Sequence, residues 1–256
     1  MAQPFVHLIL TRFNVETSFA KNQEFVNEKW LDERLALFVK YCLPSIQHQS
    51  NQSFKWLVFI HPETPNSILE QLQAFENELD NMQLVMLRKI DQAEIGEQLQ
   101  EYYAEAEYLL TTRFDSDDAI HPDFVKHLHK TAFNFKEPTL LNFKNGAIVT
   151  SYKVLGYVNE CNPFISLLEP AKNTKTVLYD SFREMPKYGE LYQIHLPFAY
   201  LQVVHGSNAW NHENGYWLSP KVLQAYSWLN GEWKKPPFGT ESLNWLRFLF
   251  RMRKGG

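Results

Sequence analysis

The stretch TTRFDSDDAIHPDF, Thr111 to Phe124, follows directly on the apolar run Tyr108-Leu109-Leu110. Three aspartates, Asp115, Asp117 and Asp118, fall within four positions. Charges of one sign this close repel one another. They need a physical reason to gather at the end of what reads as a buried strand. Upstream of them, strand and helix signals alternate. FVHLILTRF (Phe5–Phe13), FKWLVFIH (Phe54–His61), QLVMLRKI (Gln83–Ile90) and EYLLTTRF (Glu107–Phe114) read as four strands. Between them, Leu31, Leu35, Phe38 and Cys42 recur at helical spacing, with Pro44 closing that helix. Asn66 caps a second helix with an Ile68, Leu72, Phe75, Leu79 stripe, and Ile95, Leu99, Tyr102 and Ala106 mark a third. Such alternation with short links implies right-handed crossovers and a parallel sheet. Ligands of such sheets bind outside the carboxyl ends of the strands. The aspartates fall at that edge.

Downstream the pattern is less regular. HPDFVKHLHKTAF (His121–Phe133) reads as a helix with Phe124, Leu128 and Ala132 inward. TLLNFKNGAIVTSYK (Thr139–Lys153) reads as a hairpin turning at Asn145-Gly146. LQVVHG (Leu201–Gly206) reads as a strand. No repeat, low-complexity segment or linker interrupts the chain. The expectation is an α/β fold in a single domain over 1–256, with a regular front half to about 120 and an irregular back half from about 121.

The totals exclude several classes. A chain of 256 residues with 45% apolar and 21% charged residues is globular and not disordered. Its net charge of -4 gives no whole-molecule attraction to nucleic acid. Two cysteines, Cys42 and Cys161, make neither a disulfide framework nor a zinc spacing, which fits a reducing, cytoplasmic setting. The N-terminus reads as a strand and not a signal peptide, and no apolar run is long enough to span a bilayer.

Two physical reasons account for clustered aspartates. One is a hard divalent ion, Mn²⁺ or Mg²⁺, which accepts a mixed shell of carboxylates, waters and phosphate oxygens. The other is a helix start, with Asp118 or Asp123 as cap. A cap explains one aspartate and leaves the others unexplained. The helix-loop-helix calcium pattern is absent, because the required glycine and late glutamate are missing.

RFDSDD after an apolar strand resembles the Asp-X-Asp region of glycosyltransferases of the glycosyltransferase-A fold. LDERLALFVKYCLPSIQHQSNQSFKWLVFIHPETP (Leu31–Pro65), NPFISLLE (Asn162–Glu169) and LQVVHGSN (Leu201–Asn208) resemble the front, middle and end of a rhamnosyltransferase family. The resemblance covers about His7 to Gly215. It implies a single-domain, Rossmann-like, glycosyltransferase-A-like fold, with a mixed sheet flanked by helices. The front half would hold the nucleotide and the back half the acceptor. It also implies transfer of a sugar, rhamnose among the options, from a nucleoside-diphosphate sugar to an acceptor hydroxyl of a glycan or a lipid-linked acceptor. Inversion at the anomeric carbon and a role in surface polysaccharide synthesis are further implications. Asp115 would face the ribose or the metal, and Asp117 or Asp118 the metal.

Other positions take their reading from their own surroundings. Arg12 and Arg113 close strands in the same pattern, LTRF and TTRF, and suit a diphosphate or a carboxylate of the cluster. His205 is either a turn histidine or, by the resemblance, a further metal ligand. Asn208 and Asn211 suit sugar, phosphate or a turn. Glu169 is the expected general base for the attacking hydroxyl, with Asp180, Glu184 and Glu190 as competitors. His127 and His129 lie two apart, do not share a helix face, and read as solvated or packed. The tail WLRFLFRMRKGG either packs its aromatics on the domain or makes a peripheral membrane contact. Two other readings of the chain are a metal-dependent phosphoryl-transfer enzyme and a non-catalytic, cation-dependent carbohydrate-binding protein. The sequence carries no phosphate-binding glycine loop for the first.

Overall fold

The computed structural model describes residues 5–16, 23–206 and 213–253. All four expected strands form, as β1 (Phe5–Arg12), β2 (Lys55–Ile60), β3 (Met82–Met86) and β4 (Tyr108–Arg113). They pair in parallel in the order β3-β2-β1-β4. Strands β1, β2 and β4 are mainly apolar and buried on both faces, as in a sheet covered on both sides. Beyond β4 the sheet turns antiparallel. β9 (Ser166–Pro170) lies between β4 and β6 (Thr139–Asn142), and β10 (Glu190–Gln193) forms the far edge. The result is the mixed α/β sheet flanked by helices that the sequence led us to expect.

A second sheet has the order β12-β8-β7-β11-β5. Its strands are β5 (Ala119–Ile120), β7 (Asn145–Val149), β8 (Val154–Val158), β11 (Tyr200–Val203) and β12 (Tyr216–Leu218). Asn145-Gly146 is therefore not a hairpin turn. β6 and β7 enter different sheets, and the hairpin is β7–β8, turning at 150–153. Gly146 serves close packing instead. A Cβ there would meet the Tyr200 ring at 2.3 Å.

Pro44 does not close the first helix. α1 (Glu28–Leu37) runs into a π-helical turn, Phe38–Cys42, and on into α2 (Leu43–Gln47). The wider turn carries the Leu43 N–H to the Phe38 carbonyl and accommodates a proline that would clash in a regular helix. α3 (Asn66–Glu78) starts at Asn66, with Pro65 in the cap position and no side-chain cap. The third helix shortens to α4 (Ile95–Gln98) and one 3₁₀ turn. α5 (Phe124–Ala132) and the C-terminal α6 (Thr240–Arg253) complete the helices that matter below.

Candidate functional site

The parallel strands all end on one edge, where the last side chains of two neighbouring strands meet Asp115 of the loop after β4. Arg12 ends β1 and Arg113 ends β4, and β1 and β4 are adjacent. Both guanidinium groups reach Asp115. Arg12 Nη2 donates to Oδ1 at 3.2 Å, and Arg113 Nη2 donates to Oδ2 at 2.7 Å. Burial alone would raise the Asp115 carboxyl. The two arginines outweigh it and hold the group at about 2. Asp115 is thus ionised throughout the physiological range and held by two cations.

The neighbouring aspartates do different work. Asp117 Oδ2 lies 2.9 Å from His205 Nε2, just past the end of β11. Asp118 Oδ1 accepts the Val203 N–H at 2.8 Å, which ties the aspartate loop to the last residue of β11. Burial, then the charges of Asp117 and Asp115, push the Asp118 carboxyl well up. Asp118 is not a helix cap. Asp123 occupies the cap position of α5, and its side chain accepts from Ser50 Oγ at 2.7 Å and caps no backbone N–H. One stretch of sequence thus contains an arginine-held carboxylate, a carboxylate facing an imidazole and a structural carboxylate.

The chemistry of Asp117 and His205 suits a manganese-type ion. A carboxylate oxygen and an imidazole nitrogen face each other, both largely shielded from solvent. Among the described residues no group of three or more His, Cys, Asp or Glu side chains is placed to hold a metal. The pair alone fits an ion that takes its remaining ligands from a diphosphate and water.

Glu169 is not at this edge. It lies opposite Leu109, at the start of β4, while the aspartates follow its end. At a strand rise of ~3.3 Å per residue, more than ~13 Å separates them along the strand. Its carboxylate accepts the Lys175 N–H at 3.0 Å and the Thr176 N–H at 2.8 Å. It thereby holds a turn in which Asn173 and Thr176 have φ of 54° and 64°. A β-branched residue in that region is strained, and the paired N–H bonds offset the strain. Both oxygens of the carboxylate expected as general base are thus engaged by backbone N–H groups, away from the aspartate edge. Of its competitors, Asp180 accepts from the Tyr188 hydroxyl, Glu184 pairs with Lys187 and Glu190 lies on the edge strand β10. Asn208 and Asn211 lie outside the described residues.

Several residues at the edge were not singled out from sequence. Asn14, just past β1, donates to Phe25 O and Thr64 Oγ1 and accepts the His61 N–H, stitching the loops after β1 and β2. Cys42, on the π turn, is fully buried. Burial and then the charges of Asp117, Asp118 and Asp115 push its thiol well up, so it stays protonated. Arg34 of α1 carries a buried Nε with no partner. Its charge, after burial and Arg113, helps to lower the Arg12 guanidinium. Ser116 is fully buried with an unpartnered hydroxyl. Single arginines and asparagines carry no periodic signal, and of these residues Asn14 alone had a strand end to mark its place.

A family model described as "Putative rhamnosyl transferase" matches residues 6–215. The chain belongs to that family. The match runs from β1 through β11. No curated protein sequence matches the chain. Among solved structures, it is similar to Staphylococcus aureus TarS 1–349 in complex with UDP-GlcNAc. The two share 14% identity with a TM-score of 0.49, over 80% of this chain and 59% of that one. It is similar also to the longer S. aureus TarS chain, with 14% identity and a TM-score of 0.42, over 78% of this chain and 36% of that one. The chain thus spans about 60% of the TarS fragment and about a third of the longer chain.

Proposed function

We infer that the protein transfers a sugar, rhamnose being the family's namesake, from a nucleoside-diphosphate sugar to an acceptor hydroxyl of a glycan or lipid-linked glycan. The observation that carries this reading is the division of labour among the three aspartates. Asp115 is clamped by Arg12 and Arg113, Asp118 is tied to β11, and Asp117 is left facing His205. Asp117 and His205 would hold Mn²⁺ or Mg²⁺, which supplies Lewis-acid neutralisation of the departing diphosphate.

The chain's own residues do the rest. Arg12 and Arg113 fix Asp115 at the sheet edge, where a ribose or a metal-bound water would meet it. Arg34, with its unpartnered Nε near Arg12, suits a phosphate oxygen. The Asp118 bond to Val203 keeps His205 in register with Asp117. Transfer with inversion at the anomeric carbon follows from the family resemblance and calls for a proton acceptor on this edge, not at Glu169.

The test is to incubate the protein with a panel of nucleotide sugars, with and without Mn²⁺, and to follow free nucleoside diphosphate. Metal-dependent release from one donor supports the reading. A panel in which no nucleotide sugar binds or turns over would overturn it.

A further inference from the structure

The C-terminal helix has two apolar sides. Phe248 and Met252 point inward and pack with β8 and β12 in the core of the second sheet. At about 100° per residue, Leu243, Leu246 and Phe250 form a separate ridge on the opposite side. That ridge is 48%, 63% and 63% exposed. Cations border it on both sides, Arg247 and Arg251 on one and Arg253 on the other, all exposed. The loop before the helix adds exposed Lys234, Lys235 and Phe238, the last fully in solvent. From Lys234 to Arg253 there are five cations and one carboxylate, Glu241, in a chain whose net charge is -4. None of the three arginines makes an ion pair among the described residues.

We propose that α6 and the loop before it form a docking surface for an anionic lipid bilayer, with the helix lying flat in the headgroup region. An apolar ridge between rows of arginine matches that interface. The apolar side chains enter the headgroup boundary while the guanidinium groups meet lipid phosphates. The helix is about 21 Å long, too short to cross a hydrocarbon core of ~30 Å. No helix among the described residues is long and apolar enough to cross a membrane. A second copy of the chain is the poorer occupant. It would cover the ridge but bring two rows of like charge together. The proposal is independent of the donor chemistry, because α6 contributes no side chain to the aspartate site.

The experiment is co-sedimentation of the full chain with vesicles of phosphatidylcholine alone or mixed with phosphatidylglycerol. The protein is expected to bind the mixed vesicles at low salt, to be released at high salt, and to leave the neutral vesicles free. The Arg247→Gln/Arg251→Gln variant should weaken binding by about fivefold for each cation removed. Leu243→Ser/Leu246→Ser should weaken it too, while circular dichroism and thermal melting stay as in the wild type. Equal binding to neutral vesicles, no binding to anionic ones, or unchanged binding by both variants would overturn the proposal. So would wild-type dimerisation through this ridge, seen by sedimentation velocity and lost in the leucine variant, without lipid binding.

Discussion

At the scale of the residue, the site depends on which carboxylate is left for chemistry. Asp115 answers to two arginines and Asp118 to a backbone N–H, so Asp117 is the one whose loss should act on metal and not on fold. Asp117→Ala is expected to remove metal-stimulated turnover and to leave the thermal midpoint within a few degrees of wild type. Turnover against Mn²⁺ concentration checks this, and metal stimulation that survives would move the site elsewhere. Arg113→Met should behave differently. It leaves Asp115 partly buried with one cation fewer, at a cost of about 2 kcal/mol once partial exposure is allowed for. Urea unfolding reads that cost directly. The same change lets the Asp115 pKa rise from about 2 toward its ordinary value, as the Coulomb attraction of Arg113 is lost.

At the scale of the element, β9 and α5 hold buried polar groups whose partners are backbone N–H groups and other core side chains. Glu169→Gln keeps one acceptor oxygen but sets an NH₂ against a backbone N–H. The expected loss is about 1–3 kcal/mol of stability, with donor turnover near wild type. Lost turnover in a variant of unchanged stability would restore a catalytic role.

A second case lies under the sheet. Asn51, His129 of α5, His7 of β1, Thr112 of β4 and Ser166 of β9 form one hydrogen-bonded chain, with His129 Nε2 at 2.9 Å from His7 Nδ1. Burial holds His129 at about 4, below its ordinary 6.5, and burial and then the His129 charge hold His7 well below it. Between those values the unfolded chain takes up protons that the native one refuses. Stability is therefore full above about pH 6.5 and is lost as pH falls toward about 4, by up to about 3 kcal/mol for His129. Denaturant midpoints across that window should fall for wild type and flatten in His129→Gln. A flat wild-type profile would contradict the burial argument.

Element placement also shows what the sequence made legible. The parallel strands could be read because each is a local apolar run with a helix after it. The aspartates could be placed because strand ends define that edge. The pairing of β9 between β4 and β6 could not be read, because it joins residues more than fifty positions apart on the β4 side and about 25 to 29 apart on the β6 side, without a local turn signal. Glu169 shows the consequence: the apolar run before it suggests a pocket position, while its register with Leu109 sets it at the far end of β4 from the aspartates. The Asn145-Gly146 dipeptide misled similarly. A glycine demanded by the Tyr200 ring looks the same in sequence as one demanded by a turn.

At the scale of the whole molecule, the chain gathers Arg12, Arg113 and the aspartates on the edge of the parallel sheet and its cationic, apolar helix on the second sheet. The bond from Asp118 to Val203 joins the two. The measurement that bears most directly on the central claim is calorimetric titration of UDP, dTDP and GDP into wild-type protein and into Asp117→Ala and His205→Ala, each with and without Mn²⁺. The account predicts that one nucleoside diphosphate binds wild type tightly only with Mn²⁺, and that either substitution removes most of the metal's contribution. Binding that ignores Mn²⁺, or that gains as much from it in both variants as in wild type, would contradict the assignment of Asp117 and His205 as the metal seat.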